Sequence, residues 1–129
     1  MTGPAWIGFL AAAAVGAPAR FLVDGWIEDH VGDDFPWGTL IVNLTGSLVM
    51  GALAAWFAFR SGPLWTQEMR LFATTGFLGG FTTFSAFSLD AALLWERNAF
   101  VPFAIYVLAS VGLSILGLFV GLWIVRSAI

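Results

Sequence analysis

The sequence contains no cysteine and no lysine, and only 10% of its 129 residues are charged. Without cysteine, the chain can form neither disulfide bonds nor thiolate metal sites. A soluble domain usually carries about 25% charged residues, so a chain with 60% hydrophobic residues could not maintain a soluble surface. The lack of lysine is compatible with either genome composition or a salty habitat.

Long stretches without charge dominate the chain, and they cover residues 1–19, 35–59, 71–89 and 98–125. Each approaches or exceeds the ~20 residues with which a helix crosses a ~30 Å hydrocarbon core. We therefore predict a single all-α transmembrane domain over 1–129, with helices at roughly 4–24, 38–59, 67–96 and 100–126. The first stretch lacks the basic region of a signal peptide, so we expect it to be retained as helix 1.

The segments between these helices carry turn residues, interfacial tryptophans and most of the charge. "GDDFPWG" and "RSGPLWTQE" contain turn-forming residues, and "ERN", ending at Asn98, predicts a tight connection. Tryptophan rings favour the headgroup level, and six lie near predicted span ends: Trp26, Trp37, Trp56, Trp65, Trp95 and Trp123. The net charge of −3 comes largely from Glu28–Asp34, which we expect to be a solvated loop that disfavours nucleic acid as a partner.

The arginines give weak instructions about orientation in the membrane. Four spans place both termini on one side, where Arg60, Arg70 and Arg126 also lie, whereas Arg20 and Arg97 lie on the other side. Three basic residues against two is a small positive-inside bias. We therefore expect insertion in both orientations and an antiparallel homodimer, because a two-fold axis in the membrane plane relates opposite orientations.

Small residues on two of the predicted helices indicate close helix packing. Gly46 and Ser47 lie on helix 2, and Gly117 and Gly121 lie four residues apart on helix 4. Small residues at such spacing let the backbones of membrane helices approach each other.

The stretch "GFLGGFTTFSAFS", Gly76 to Ser88, predicts a broken helix. Glycine and threonine are poor residues for a continuous helix, and we expect helix 3 to break near 76–83, close to the membrane midplane. Broken membrane helices are tolerated where they are buried in protein or line a cavity, and there they bind ions. Carbonyls freed around Gly79 and Thr82 could hold a hard cation, and Thr82 or Thr83 would cap the second half-helix.

Phe84 and Phe87 follow the predicted break and share one helix face. An aromatic ring has a positive edge, so rings turned edge-on could solvate a small anion weakly enough for it to leave again. For Phe72, Phe77 and Phe81, ordinary packing or lipid contact is the better interpretation.

Polar residues within the spans are the remaining candidates. Asn43 in "TLIVNLTGS" has an amide that its own helix cannot satisfy, so it either clasps a neighbouring helix or donates to an anion. Tyr106, Ser110 and Ser114 recur every four residues on helix 4 and align three hydroxyls on one face. They predict a ladder of donors for a partly dehydrated ion, with a hydroxyl-lined packing seam as the alternative.

Two further observations limit the function. Arg20, at the predicted end of helix 1, can be purely structural, and Asp24 and Asp90 near span ends are expected to be interfacial. The lone His30 lies in the acidic segment, and the sequence offers no catalytic set, metal-ligand cluster or phosphate loop. We therefore do not expect an enzyme.

Three motifs together resemble the Fluc/CrcB family of fluoride channels. "GFLGGFTTFSAFS" resembles the helix-3 signature of that family, "GTLIVNLTGS" its helix-2 motif and "VGAPARF" its helix-1 motif. With four spans in the same order, the resemblance covers nearly the whole chain. The acidic 28–34 segment and the absence of lysine are not part of the family pattern.

The resemblance implies a dual-topology antiparallel homodimer with two fluoride pores in the plasma membrane. By this likeness, the pore residues would be Asn43, Thr83, Phe84, Phe87, Tyr106, Ser110 and Ser114. The carbonyls of Gly79 and Thr82 from both copies would hold a structural Na⁺, and Arg20 would match the helix-1 arginine of the family.

The expected activity is therefore passive, fluoride-selective export that relieves fluoride toxicity. A proton-coupled small multidrug exporter is one alternative, but it needs a titratable carboxylate at depth, and the charge-free cores disfavour it. A membrane scaffold without transport activity, whose polar residues only clasp helices, is the other alternative.

Overall fold

The computed structural model describes residues 1–60 and 67–129. The turn predicted at 61–66, including Trp65, lies outside the described residues. All regular elements in the described part are helical: α1 Gly3–Val31, α2 Trp37–Phe59, α3 Gln67–Leu71, a π-helical segment Phe72–Leu78, α4 Gly79–Phe81, α5 Phe84–Glu96 and α6 Phe100–Ala128.

Helix α1 continues seven residues beyond its predicted end. Thr2 caps its N-terminus by accepting a hydrogen bond from the Ala5 N–H at 3.3 Å, and the helix ends only at Gly32, whose φ of 85° suits glycine. The prediction of a loop was therefore wrong for Glu28–Val31, because charge alone does not end a helix. Arg20 consequently lies inside α1 and away from a helix terminus, contrary to prediction.

The prediction of a tight connection at Asn98 is confirmed. Only Arg97–Ala99 separate α5 from α6, and Asn98 has a φ of 61°, a left-handed conformation that asparagine tolerates. The Arg97 guanidinium donates a hydrogen bond to the Asp34 carbonyl. The α1–α2 and α5–α6 connections are therefore joined at the same end of the bundle.

Glycines bring α2 and α6 into backbone contact. A Cβ on Gly121 would collide with the Leu48 carbonyl, and a Cβ on Gly51 would collide with the Leu118 carbonyl. Gly117 likewise faces Leu44. The prediction of close packing at the small residues of α6 is therefore confirmed.

The third span is interrupted, and α1 supports it from one side. Helix α1 packs on the π-helical segment and on α4. A Cβ on Gly16 would collide with the Phe77 carbonyl, and a Cβ on Gly80 would lie 2.7 Å from the Ala13 carbonyl oxygen. These close approaches require glycine on both sides of the contact.

In the described part of the chain, a core of buried apolar residues lies where α2, α5 and α6 meet. Leu40, Ala91, Leu94 and Tyr106 form this core. Many large apolar side chains elsewhere are exposed. In the described part of the chain, four helical stretches are long and apolar enough to cross a membrane: Gly3–Val31, Trp37–Phe59, Gln67–Glu96 and Phe100–Ala128. A surface of this kind is stable in lipid, so the chain is a multi-pass membrane protein.

Candidate functional site

Two threonines separate α4 from α5. Thr82 (φ −83°, ψ 160°) and Thr83 (φ −152°, ψ 123°) are both extended. The Thr83 hydroxyl accepts a hydrogen bond from the Ala86 N–H at 3.1 Å, so Thr83 is the residue that caps the second half-helix. The Thr82 hydroxyl instead donates to the Leu78 carbonyl at 2.8 Å, which satisfies the end of the preceding turn.

Asn43 of α2 forms two hydrogen bonds with the backbone of Thr83. Its amide nitrogen donates to the Thr83 carbonyl at 2.9 Å, and its amide oxygen accepts from the Thr83 N–H at 2.8 Å. The extended backbone of Thr83 presents both groups to one side chain, much as a β-strand presents them to its neighbour. Asn43 therefore clasps the interruption, and one of its two amide N–H groups remains available to another acceptor.

An open groove of about 310 Å³ lies beside this clasp. Six of the predicted pore residues line it: Asn43, Thr83, Phe84, Phe87, Ser110 and Ser114. The rings of Phe84 and Phe87 have centroids 5.6 Å apart and planes tilted by 54°. Since 78% of Phe84 is exposed, its ring lines the groove at an edge that no other described residue covers in the single chain.

Two hydroxyls on the α6 wall of the groove are buried and unpartnered. Among the described residues, Ser110 Oγ and Ser114 Oγ have no hydrogen-bond partner. Serine in a helix usually bonds a carbonyl of the preceding turn, as Ser88 does with Phe84 at 3.0 Å. Ser110 and Ser114 are therefore donors without an acceptor of their own.

Tyr106 lies one turn before Ser110 but outside the residues that line the groove. Its fully buried side chain donates a hydrogen bond to the Asp90 carboxylate at 3.2 Å. Its ring contacts Phe35 and Phe87 at centroid distances of 5.5 and 5.2 Å. Tyr106 therefore connects the ring of Phe87 to a carboxylate towards the acidic end of the bundle.

Asp24 and Thr39 lie near this Tyr106–Asp90 pair. The Asp24 carboxylate occupies the position that a Cβ on Gly38 would need, and it interacts electrostatically with Asp90. Thr39 is a buried polar residue of α2 that interacts with Tyr106. Both aspartates thus contact a residue of a neighbouring helix: Asp24 contacts Gly38 on α2, and Asp90 binds Tyr106 on α6.

Arg20 of α1 reaches the α4 turn, near the residue that Asn43 binds. Its Nε donates a long hydrogen bond of 3.5 Å to the Gly80 carbonyl. Of the two predicted cation ligands, Gly79 is the first residue of the short helix α4 and Thr82 directly follows its last residue. Gly80 lies within the same turn.

Sequence reasoning missed several residues of the groove. Gly46, Ser47 and Met50 also line it, and they follow Asn43 by three, four and seven residues. This spacing places them on the same face of α2 as Asn43. The helical period was therefore a signal that could have identified them.

Comparisons with known proteins agree with the resemblance. Residues 7–122 match the family model described as CrcB-like protein, Camphor Resistance (CrcB). A "Fluoride-specific ion channel FluC" from Rhodopseudomonas palustris (strain BisB5) is 51% identical over 113 residues, which cover 88% of this chain and 90% of the relative. A protein of the same name from Rhizobium meliloti (strain 1021) is 47% identical over 119 residues, covering 92% and 94%.

A third relative with this name, from Chelativorans sp. (strain BNC1), is 53% identical over 114 residues, which cover 88% of this chain and 90% of the relative. Identity at this level, over almost the full length of both partners, accompanies the match to the family model. The chain belongs to the CrcB-like protein family.

Proposed function

We propose that the protein is a passive, fluoride-selective ion channel that exports cytoplasmic fluoride across the plasma membrane. Its membership of the CrcB-like family and the names of its relatives support this function. The structural observation that carries it is the groove lined both by Phe84 and Phe87 and by the unpartnered hydroxyls of Ser110 and Ser114.

The chemistry of this groove suits a small anion that must pass through. The buried hydroxyls can donate to fluoride in place of water, and their lack of other acceptors leaves them free to do so. The positive edges of Phe84 and Phe87 add weak stabilisation. Weak binding at several successive sites lets an ion enter and leave readily.

We assign the other pore residues by their position around the groove. Thr83 and Asn43 form its wall at the interruption, and Tyr106 continues the hydroxyl series of Ser110 and Ser114 towards Asp90. Arg20 belongs to the vestibule, where its charge attracts anions.

A second copy of the chain in antiparallel orientation is part of this proposal. The groove is open, and most of the Phe84 ring is exposed beside its polar wall. A pore that strips water from fluoride needs this open side covered. Crosslinking between cysteines introduced at opposite ends of two copies tests the head-to-tail arrangement.

We further propose that the interruption lies near the membrane midplane and helps to hold a structural Na⁺. The donor set fits, because Na⁺ is a hard cation that prefers oxygen ligands and the extended torsions at Thr82 and Thr83 interrupt the helical bonding around α4. The carbonyls of Gly79 and Thr82 would hold the ion, which would fix the broken helix by neutralising their partial charges.

The physiological role follows from fluoride chemistry. Hydrofluoric acid crosses lipid as a neutral molecule and dissociates inside the cell, which traps the anion. A passive channel lets fluoride leave down its electrochemical gradient, and the inside-negative potential assists.

The decisive experiment is fluoride efflux from liposomes that contain the purified protein, followed with a fluoride electrode. We expect rapid fluoride efflux and negligible chloride efflux under the same gradient. Equal passage of both halides would remove the selectivity. Failure to carry fluoride, together with proton-driven uptake of a quaternary ammonium dye, would instead support a multidrug exporter.

A further inference from the structure

The clasp between Asn43 and Thr83 changes the hydrogen bonding of α4. In a continuous helix, each N–H donates to the carbonyl four residues earlier. The Thr82 N–H follows this rule and donates to the Leu78 carbonyl at 2.9 Å. The next N–H, of Thr83, would reach the Gly79 carbonyl, but it donates to Asn43 at 2.8 Å instead.

The carbonyl of Gly79 therefore does not receive the Thr83 N–H, because the extended backbone at Thr82 directs that N–H to the side chain of Asn43 on another helix. The neighbouring Gly80 carbonyl receives the long bond from Arg20. A carbonyl without a donor is costly inside a membrane protein, and a bound cation would satisfy it. Gly79 is one of the two residues proposed above to hold Na⁺.

We infer that Asn43 is a positioning residue for the cation site: by accepting the Thr83 N–H, it keeps the Gly79 carbonyl available to Na⁺. This inference rests on the proposed function, since it presumes the sodium site at Gly79 and Thr82. Asn43 also connects the sodium site with the proposed fluoride path, because its amide lines the groove. A substitution of Asn43 should therefore change sodium affinity as well as fluoride transport.

The test measures sodium binding separately from fluoride transport. Purified protein in detergent is titrated with NaCl at constant ionic strength, with N-methyl-D-glucamine chloride as the replacement salt. The stabilisation derived from the rise in melting temperature is fitted to RT ln(1 + [Na⁺]/Kd), and the fitted dissociation constant is the sodium midpoint, at which half of the folded protein holds the ion. This midpoint reports affinity for sodium, so a uniform loss of fold stability does not by itself move it.

Two substitutions at Asn43 separate its acceptor from its donor. Asn43→Ala removes the acceptor, which lets the Thr83 N–H return to the Gly79 carbonyl. We expect the sodium midpoint to rise by about tenfold or more, which is the usual effect of removing a residue that orients a metal ligand. Asn43→Asp keeps an acceptor oxygen for the Thr83 N–H. We expect this variant to keep the wild-type midpoint or a lower one while losing fluoride flux, because its negative charge repels the anion.

Thr45→Val is the matched control on α2. The Thr45 hydroxyl is exposed and, among the described residues, bonds only to the carbonyls of Ile41 and Val42 in its own helix. It should keep both the wild-type sodium midpoint and wild-type fluoride flux.

The outcomes distinguish this inference from the proposed function. An unchanged sodium midpoint in Asn43→Ala would overturn the inference, and so would a tenfold higher midpoint in Asn43→Asp. If Asn43→Ala does not fold, the midpoint of Asn43→Asp alone decides. Absence of any sodium response in the wild type would overturn the inference and the cation site together. A sodium shift in Asn43→Ala, with a wild type that carries no fluoride, would uphold the inference and overturn the channel.

Discussion

The hydroxyl of Tyr106 donates to the Asp90 carboxylate at 3.2 Å, which joins α6 to α5 inside the bundle. Tyr106 is fully buried, and Phe35 and Phe87 pack against its ring. Because hydrogen bonds to charged groups are stronger than average, this pair contributes to the stability of the protein as well as to the proposed ion path.

Tyr106→Phe should lower the free energy of unfolding by about 1.5–3 kcal/mol, the range for a hydrogen bond to a charged group, since the ring contacts persist and only the hydroxyl is lost. Denaturant titration in mixed micelles measures this change. In an Asp90→Ala background, the same substitution should cost almost nothing further, because the acceptor is already absent. Equal costs in both backgrounds would show that the hydrogen bond contributes nothing.

Ser110→Ala and Ser114→Ala should reduce fluoride flux without reducing stability. Their hydroxyls are buried without a partner in the described structure, so removing them should leave the free energy of unfolding unchanged or raise it. Liposome efflux and unfolding titration on the same preparations give both quantities. If these hydroxyls only line a packing contact between helices, the opposite result is expected: both substitutions should lower the free energy of unfolding, and the protein should carry no fluoride with or without them.

Phe84→Ile and Phe87→Ile should both reduce fluoride flux but differ in stability. Phe84 is 78% exposed in the single chain, whereas the Phe87 ring contacts Tyr106 at 5.2 Å. Both variants lose the ring pair between Phe84 and Phe87, but only Phe87→Ile also loses the pair with Tyr106, which should cost it about 1 kcal/mol more. Phe119→Ile, on the exposed side of α6, is the control and should conduct normally. Normal flux in both groove variants would argue against a role of the ring edges.

Gly121→Ala should destabilise the protein by about 1–3 kcal/mol, the usual range for overpacking. The added methyl would collide with the Leu48 carbonyl where α2 and α6 touch. Gly112→Ala on the same helix is the control, because a Cβ there has no neighbour within 4 Å. It should stabilise the helix by up to about 1 kcal/mol. Thermal unfolding in detergent ranks the two variants against the wild type, and equal melting temperatures would contradict the close contact.

Replacement of sodium by N-methyl-D-glucamine on both sides of the liposome membrane should abolish fluoride flux. The expected cause is release of the ion from the carbonyls of Gly79 and Thr82, followed by loosening of the broken helix. Restored sodium should recover the flux, and this reversal excludes irreversible loss of protein. Full activity throughout would remove the cation from the proposal.

The sequence predicted the elements whose signals are local. Apolar runs located the four spans, the turn at Asn98 had a short-range signature, and the prediction that Thr82 or Thr83 caps α5 was confirmed for Thr83. The end of α1 was predicted wrongly because the charged residues after 24 were interpreted as a loop, whereas the helix continues to the glycine at 32.

Features that depend on distant residues could not be predicted in detail. Asn43 was recognised as a polar residue with unsatisfied groups, but its partner Thr83 lies forty residues away, and no periodicity reveals that pairing. The bond from Tyr106 to Asp90 likewise depends on how α5 and α6 face each other. Sequence reasoning therefore predicted which residues line the groove better than it predicted their hydrogen-bond partners.

The π-helical segment Phe72–Leu78 should respond differently to insertions and to deletions. A π turn holds about one residue more than an α turn, and π turns are frequent at functional sites. Each residue in a helix turns the chain by about 100°, since 3.6 residues complete a turn. Insertion of a further residue here would therefore rotate Phe84 and Phe87 away from Ser110 and Ser114, whereas loss of one residue would let the π turn shorten to an α turn and keep the direction of both rings.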